Sequence, residues 1–231
     1  MSHSFPALIP ALIFDLDGTL TDSKAGILGC LRKVLHARGM ENPGSLEHFI
    51  GPPVEEWVAY LLPNGTKDEH AALAREYRAC YDREGWSDNA VFPGVREMIA
   101  DLLRAGSALY VCTSKQEHFA VRILDAFELS PFFAAIYGDK AEYPSHSKVD
   151  LLARILRERS LGRESAWMVG DRSFDFEAAR ANNLRSIAAG WGYGSREECA
   201  QADALALTPA DVFALIMHQA GAADVSIPRT I

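Results

Sequence analysis

The sequence has no hydrophobic run that approaches the ~18 consecutive apolar residues of a membrane span. At its N-terminus no basic segment precedes a long apolar run, so no secretory signal is predicted. The four cysteines lie far apart and form no CxxC pair. We therefore expect reduced thiols in a cytoplasmic protein, and neither a zinc site nor a disulfide framework.

The sequence is also poor in positive charge, with 23 lysines and arginines against 31 aspartates and glutamates and a formal net charge of −8. Such a chain is a poor candidate for sequence-independent binding to nucleic acid. A local cation can still create a site for an anionic small molecule. We expect neither nucleic acid nor a membrane among the partners, and the sequence contains no indication of an oligomeric state.

What the sequence does contain is a series of short apolar runs separated by helical patterns. Several runs are continuous, as expected for strands buried on both faces of a sheet. Strands that alternate with helices indicate a parallel α/β sheet covered by helices on both sides. The predicted strands are residues 11–15, 107–113, 133–138, 166–171, 184–190 and 204–207.

One region, residues 22–89, breaks this alternation and contains no convincing strand. An apolar stripe from Ile27 to Leu35 follows helical spacing. We predict a helical insertion between the first and second strands of the sheet. Further helices are predicted at 53–62 and 67–84, and hinges at 20–23 and 89–94.

Two carboxylates follow the first predicted strand, "ALIFD", which ends in Asp15 and is followed by Asp17. Like charges this close repel each other unless a cation or a shared proton compensates. In an open parallel sheet, ligands collect at the carboxyl ends of the strands. Asp15 and Asp17 therefore predict a ligand site at that edge of the sheet.

Other polar groups follow other predicted strands. Thr113 and Ser114 end "LYVCTS", Asp171 ends "WMVGD", and Asp175 comes four residues later. Lys148 opens the helix that precedes the strand ending at Asp171. If the sheet forms as predicted, these groups converge with the first two carboxylates around a hard cation, for which magnesium is the best match because it takes oxygen ligands.

Four segments resemble the motifs of the haloacid dehalogenase superfamily, in its phosphatase branch: "DLDGTLTDS", "VCTS", Lys148 and "GDRSFDFEAA". They appear in the family's order over residues 15–175. The resemblance implies a Rossmann-like parallel sheet core with an inserted all-helical cap that closes over the site and selects the substrate. The implied core is residues 1–21 and 90–231, and the implied cap is residues 22–89.

The resemblance also implies roles for individual residues. Asp15 would be the nucleophile that forms an aspartyl-phosphate intermediate. Asp17 would be the general acid and then the general base, with its backbone carbonyl on the metal. Lys148 would neutralise the nucleophile and the phosphate, and Thr113 would hydrogen-bond the phosphoryl oxygens. The implied metal ligands are Asp15, Asp17, Asp171 and Asp175, the last directly or as a partner of a ligand, and the implied substrate-binding residues are Thr113, Ser114 and Lys148.

Three features connect the chain to members that look like phosphoglycolate phosphatases. Motif two ends in Thr113-Ser114-Lys115, where Ser-Asn or Thr-Asn is the commonest ending, and "TSK" is familiar in that group. The segments "IGPPVEEWVAYLLP" and "GWGYGS" are similar to that group's cap segment and to its loop after the fifth strand. The segment before Lys148, "GDKAEYPSHS", departs from the group because it lacks the usual glycine-rich form.

The predicted function is magnesium-dependent hydrolysis of a small phosphorylated metabolite, with phosphoglycolate as the nearest analogy. A nucleoside 5′-monophosphatase and a sugar phosphomutase remain alternatives, since the four motifs fit both. A dehalogenase is disfavoured because a carbon–halogen leaving group needs no proton and that branch lacks the second aspartate. A non-catalytic binding protein on a phosphatase scaffold would have no reason to keep both Asp15 and Asp17. At Asp175, stabilisation of a helix N-terminus remains an equal alternative to a role at the metal.

Overall fold

The computed structural model describes residues 9–40, 44, 46–140, 147–219 and 221. Most of the segment before Lys148, residues 141–146, lies outside the described residues. The strands are β1 Ala11–Phe14, β2 Thr21–Asp22, β3 Ala90–Val91, β4 Leu109–Gln116, β5 Ala135–Asp139, β6 Ala166–Gly170, β7 Arg185–Ala189 and β8 Ala204–Ala206. The helices are α1 Lys24–Ala37, α2 Val54–Leu61, α3 Lys67–Arg83, α4 Val95–Arg104, α5 Glu117–Ala126, α6 Lys148–Arg159, α7 Ser173–Ala181, α8 Arg196–Cys199 and α9 Pro209–Gln219.

Across the described residues, the main sheet has six parallel strands in the order β5-β4-β1-β6-β7-β8. This confirms the predicted α/β fold. The first strand, β1, is central: Phe14 lies opposite Val111 of β4 on one side and Val169 of β6 on the other. Because all its neighbours run parallel to it, the carboxyl ends of β1, β4 and β6 meet at one edge of the sheet.

Alternate residues of β1 face opposite sides of the sheet, and each side has its own apolar cluster. Leu12 and Phe14 pack into one cluster with residues of α4, α5 and α9. Ile13 packs into the other with residues of α6 and α7. Helices therefore cover both faces of the sheet, as the continuous apolar run predicts.

The two predicted hinges pair with each other. Strand β2 is antiparallel to β3, with Thr21 opposite Val91 and Asp22 opposite Ala90. The sequence contains no strand signal at either place because two residues are too few to show a period. The pairing brings the ends of the helical segment together, so the chain leaves the sheet and returns to it at one point.

Helices α1, α2 and α3 share an apolar cluster of their own. It contains Leu31 and Leu73, which are fully buried, and Trp57. Phe119 of α5 also belongs to it, so the helical segment packs directly against the sheet domain. The division into a core and a cap remains a prediction, and this separate cluster with its paired hinges supports it.

All four cysteines are buried and free. The sulfurs of Cys30 in α1 and Cys80 in α3 lie 2.9 Å apart, a contact that their distance along the sequence does not reveal. Within the described ranges, no helix combines the length and the apolar character needed to cross a membrane.

Candidate active site

The turn after β1 places the first two carboxylates at the sheet edge. Asp15 follows the strand directly, and its backbone N–H donates to the carbonyl of Val169 at 2.9 Å. Gly18 has φ +89°, and a Cβ atom there would lie 2.2 Å from Oδ2 of Asp171. Two properties of this position therefore require glycine: the left-handed backbone and the close approach to Asp171.

Lys148 is the first residue of α6, and Nζ lies 2.8 Å from Oδ1 of Asp15 and 2.5 Å from Oδ1 of Asp175. Its side chain is 6% exposed. An ammonium at a helix N-terminus opposes the helix dipole, and the two carboxylates offset this cost. Burial by itself would lower the pKa of Lys148, but Asp15 and Asp175 outweigh burial and hold that pKa above its usual value. The lysine is therefore charged at neutral pH.

Asp171 directly follows β6 and Asp175 lies in the first turn of α7, and both are fully buried. Asp171 accepts hydrogen bonds from Oγ1 of Thr19 at 3.2 Å and from the backbone N–H of Tyr193 at 2.8 Å. Asp175 accepts from the backbone N–H of Arg172 at 3.0 Å through Oδ2, while its Oδ1 pairs with the lysine. Asp175 therefore stabilises the helix N-terminus and contributes to the charged cluster, so both interpretations of this residue find support.

The carboxylates of Asp15, Asp171 and Asp175 fit a hard cation. One oxygen from each lies within 4.8 Å of the others. A single ammonium, Lys148, contacts two of these three carboxylates, Asp15 and Asp175, so three formal negative charges lie beside one positive charge. Burial raises the pKa of Asp15 to about 7, opposed by Lys148 and reinforced by Asp175. Burial also raises the pKa of Asp171, and Asp15 and Asp175 add to the rise, so Asp15 and Asp171 hold a proton more readily than free aspartates do.

The side chain of Asp17 lies outside this cluster and pairs with a residue that the sequence did not single out. Its Oδ2 lies 3.0 Å from Nζ of Lys115, and both side chains are about nine-tenths buried. Its Oδ1 is buried without a hydrogen-bond partner among the described residues. The predicted contribution of Asp17 to metal binding would come from its backbone carbonyl and stays a prediction.

A cavity of about 480 Å³ separates the sheet edge from the helical segment. Asp17, Thr113, Ser114 and Lys148 line it from the sheet. Oγ1 of Thr113 accepts a hydrogen bond from the backbone N–H of Lys115 at 3.2 Å, which leaves the threonine hydroxyl proton free to be donated. From the helical segment the cavity is lined by Phe49, Pro53, Trp57, Tyr77 and Tyr81, among others.

Sequence reasoning missed three residues of this site: Lys115, Thr19 and Tyr193. The signal for Lys115 was a charged residue at the end of a buried strand, but "TSK" was treated only as a mark of a subgroup. Tyr193 lies in the loop "GWGYGS", for which the sequence showed only a similarity to a loop of the phosphoglycolate phosphatase group. Its hydroxyl donates to Oδ1 of Asp22 at 2.8 Å, so this loop contacts both Asp171 and the hinge.

Residues 12–189 match the family profile described as haloacid dehalogenase-like hydrolase. The chain belongs to this family. Its similarity to solved structures agrees: a predicted phosphatase from Clostridium acetobutylicum superimposes with a TM-score of 0.85 at 30% identity, covering 91% of this chain and 99% of that one. The predicted superfamily and fold are thereby confirmed.

Named relatives of this chain span several activities. Tyrosine-protein kinase PtkA of Mycobacterium tuberculosis is 42% identical over 83% of this chain, which spans 66% of that relative's length. A 5′-nucleotidase of Pseudomonas aeruginosa is 36% identical over 82% of this chain and 86% of the relative. A phosphoglycolate phosphatase of Agrobacterium fabrum is 31% identical over 94% and 98%. The likeness to the phosphoglycolate phosphatase group is thereby confirmed at the level of the family.

Proposed function

We propose that this hydrolase is a magnesium-dependent phosphomonoester hydrolase that acts on a small phosphorylated metabolite through an aspartyl-phosphate. The observation that carries the proposal is the buried cluster in which Lys148 contacts Asp15 and Asp175 beside Asp171, next to a cavity lined by hydroxyl groups. Phosphoryl transfer needs positioning and charge neutralisation, and this cluster supplies both. The phosphatases among the relatives support the same activity.

In the first step, a carboxylate oxygen of Asp15 attacks phosphorus, and the bond from phosphorus to the ester oxygen breaks. Asp17 gives its proton to that leaving oxygen, so an alcohol departs and an aspartyl-phosphate remains. Lys148 offsets the charge of the nucleophile and of the phosphoryl group. The hydroxyl of Thr113, and that of Ser114 beside it, would donate to phosphoryl oxygens.

In the second step, a water attacks phosphorus and transfers a proton to the Asp17 carboxylate. The bond between phosphorus and the Asp15 oxygen then breaks, inorganic phosphate leaves, and both aspartates return to their starting states. Asp15, Asp171 and Asp175, with the backbone carbonyl of Asp17, would hold Mg²⁺. The ion would neutralise charge on the phosphoryl group.

We assign residues 22–89 as a cap that closes over the site. Three observations support this assignment: the separate apolar cluster of α1 to α3, the paired hinge strands, and the cap residues that line one wall of the cavity. A closed cap would exclude water and strengthen the electrostatic interactions inside.

The four free and buried cysteines support a cytoplasmic location.

A nucleoside 5′-monophosphate is the second candidate substrate. The cavity of about 480 Å³ falls in the range of sites for drug-sized ligands and exceeds what a two-carbon acid fills. The relative named 5′-nucleotidase supports the same choice. The relative named tyrosine-protein kinase suggests a different acceptor for this chain, since a tyrosine hydroxyl could take the place of water in the second step.

Release of inorganic phosphate from a panel of sugar, nucleoside and carboxylic acid phosphates, with Mg²⁺ and with excess EDTA, tests the proposal. We expect turnover that requires Mg²⁺ and falls about 10²–10⁴-fold in Asp17→Asn for alkyl esters. Formation of an isomeric sugar phosphate would indicate a mutase. Transfer of the phosphoryl group to tyrosine would indicate a kinase. A folded protein that hydrolyses no ester in Mg²⁺ would refute the proposal and favour a binding protein.

A further inference from the structure

Lys115 connects the proposed general acid to the helical segment. The lysine lies in β4, and its Nζ contacts Oδ2 of Asp17 at 3.0 Å and donates to the hydroxyl of Tyr81 in α3 at 2.7 Å. The same ammonium lies 4.4 Å from the centre of the Tyr81 ring. Three buried groups from the first turn, β4 and the helical segment thus form one continuous chain of contacts.

The chemistry of an ammonium constrains the carboxyl group beside it. Lys115 has N–H donors and no acceptor, so the Asp17 oxygen that faces it must accept. When Asp17 is protonated, the proton must therefore sit on Oδ1. That oxygen is the one that has no hydrogen-bond partner among the described residues, and Asp17 lines the cavity.

Tyr81 holds the ammonium in this place. Its ring packs edge-on against Phe119 of α5 at 5.2 Å and stacks with Tyr77 one turn earlier. Burial raises the pKa of the Tyr81 hydroxyl, so it is a neutral phenol at physiological pH. Because α3 belongs to the helical segment, the lysine has both partners only when this segment lies against the sheet.

We propose that Lys115 is a positioning residue for Asp17, which occupies Oδ2 so that the transferable proton points from Oδ1 into the cavity, and that Tyr81 makes this arrangement depend on closure of the cap. The inference rests on the proposed hydrolase activity. It explains why motif two continues with a lysine at this position. It also assigns a function to a tyrosine that is otherwise a packing residue.

Leaving-group dependence tests the first half of the proposal. The probes are glycerol 2-phosphate, whose alkoxide needs a proton, and p-nitrophenyl phosphate, whose phenolate barely does. Lys115→Met should lower kcat on the alkyl ester by about 10²-fold and on the aryl ester by about tenfold or less. Lys115→Arg, which remains a donor-only cation, should recover much of the difference. Lys140→Met, which removes a lysine paired with Glu117 at 2.7 Å, is the matched control and should change neither rate.

A double-mutant cycle tests the second half. Tyr81→Phe should lower kcat on the alkyl ester by about tenfold. If Tyr81 acts through the lysine, the double variant Lys115→Met/Tyr81→Phe should be no slower than Lys115→Met alone. Tyr137→Phe, whose hydroxyl contacts Glu158 instead, controls for the loss of a phenol. If the losses of kcat in the two single variants multiply in the double variant, Tyr81 does not act through Lys115.

The outcomes separate this inference from the proposed function. Equal losses on both esters, or none, in Lys115→Met would show that the lysine does not position the proton, even though the hydrolase activity stands. A wild-type protein inactive on every ester would overturn the hydrolase proposal. Amide hydrogen exchange of α3 would then test whether the contacts from Asp17 through Lys115 to Tyr81 hold this helix in place. If they do, exchange should be faster in Lys115→Met and Tyr81→Phe than in the two controls. Unchanged exchange would overturn this inference.

Discussion

Nζ of Lys148 lies 2.8 Å from Oδ1 of Asp15, so the proposed nucleophile is held by a buried cation before any substrate arrives. Asp15→Asn keeps the shape of the side chain but removes its charge and most of its nucleophilicity. We expect turnover to fall by about 10⁴-fold or more. Because the change also relieves repulsion among three buried carboxylates, the urea midpoint should not fall. Asp125→Asn, an exposed aspartate of α5, is the matched control, and turnover near the wild-type rate in Asp15→Asn would exclude the covalent mechanism.

The carboxylate cluster predicts a pH dependence whose direction follows from Asp15. Its pKa is raised from 3.8 to about 7 in the folded chain, so the folded state binds more protons than the unfolded state between those values. Stability of the metal-free protein should therefore fall as pH rises from about 4 to about 7. Mg²⁺ competes with those protons and should raise the melting temperature more at about pH 7.5 than at about pH 5.

Melting temperatures in EDTA and in Mg²⁺ across this range measure the effect. Asp171→Asn serves as the comparison, since it removes one proposed ligand and should lose most of the stabilisation by Mg²⁺. A stabilisation by Mg²⁺ that is equal at both pH values, or one that survives in Asp171→Asn, would contradict the proposed metal site.

Gly18 offers a test of how closely the first turn packs against Asp171. Gly18→Ala should lower the free energy of unfolding by about 3 kcal/mol, from the left-handed backbone and from a Cβ that would lie 2.2 Å from the Asp171 carboxylate. Gly39→Ala is the matched control. Gly39 also has a positive φ, +66°, but a Cβ there would meet nothing within 4 Å among the described residues, so its cost should be only about 1 kcal/mol. Equal costs in urea unfolding would show that the close approach contributes nothing.

Tyr193 links the loop after β7 to the hinge. Its hydroxyl accepts from the backbone N–H of Lys24 at 3.1 Å and donates to Asp22 at 2.8 Å, while its backbone N–H donates to Asp171. Tyr193→Phe removes only the hinge contacts. We expect kcat/KM to fall by about 3–10-fold, the usual scale for one hydrogen bond, with stabilisation by Mg²⁺ unchanged. Loss of the Mg²⁺ effect in this variant would mean that the hydroxyl contacts with the hinge also hold Asp171 in place through this loop.

Arg78 of α3 tests whether the helical segment selects the substrate. It pairs with Glu55 of α2, and both side chains line the cavity. Arg78→Met should change the ratio of kcat/KM for the best metabolite to that for p-nitrophenyl phosphate by about tenfold. Arg75→Met, one turn earlier and exposed, should leave the ratio unchanged. If neither variant alters the ratio, specificity lies outside this part of the helical segment.

Much of the fold was predictable because it follows from local periodicity. The apolar runs identified all six strands of the main sheet to within a few residues. The stripe from Ile27 to Leu35 located α1, and the helices predicted at 53–62 and 67–84 correspond to α2 and α3. The boundary that mattered most was missed. The predicted strand ended at Thr113, but β4 continues to Gln116 with a shift in register after Cys112, so Ser114 and Lys115 also lie within the strand.

The candidate site was predictable only in part. Asp15 and Asp171 directly follow strands and Lys148 begins a helix, and parallel topology brings these three residues together, whereas Thr113 lies within β4. The hydrogen bond from Thr19 to Asp171 joins residues 152 positions apart, and no periodic signal reports it. The pairing of Lys115 with Tyr81 depends in addition on how α3 packs against the sheet.

By itself, the sequence determined which segments form strands and helices, and which polar residues stand at their ends. These properties depend on side-chain periodicity and backbone preferences, which act over a few residues. The tertiary structure alone decided which polar groups touch: that Lys148 contacts both Asp15 and Asp175, that β2 pairs with β3, and that Asp17 meets Lys115. Strand order and helix packing set these contacts because they bring distant segments together. A buried charge without a partner is costly, so each buried charge pairs with a group that this packing places beside it.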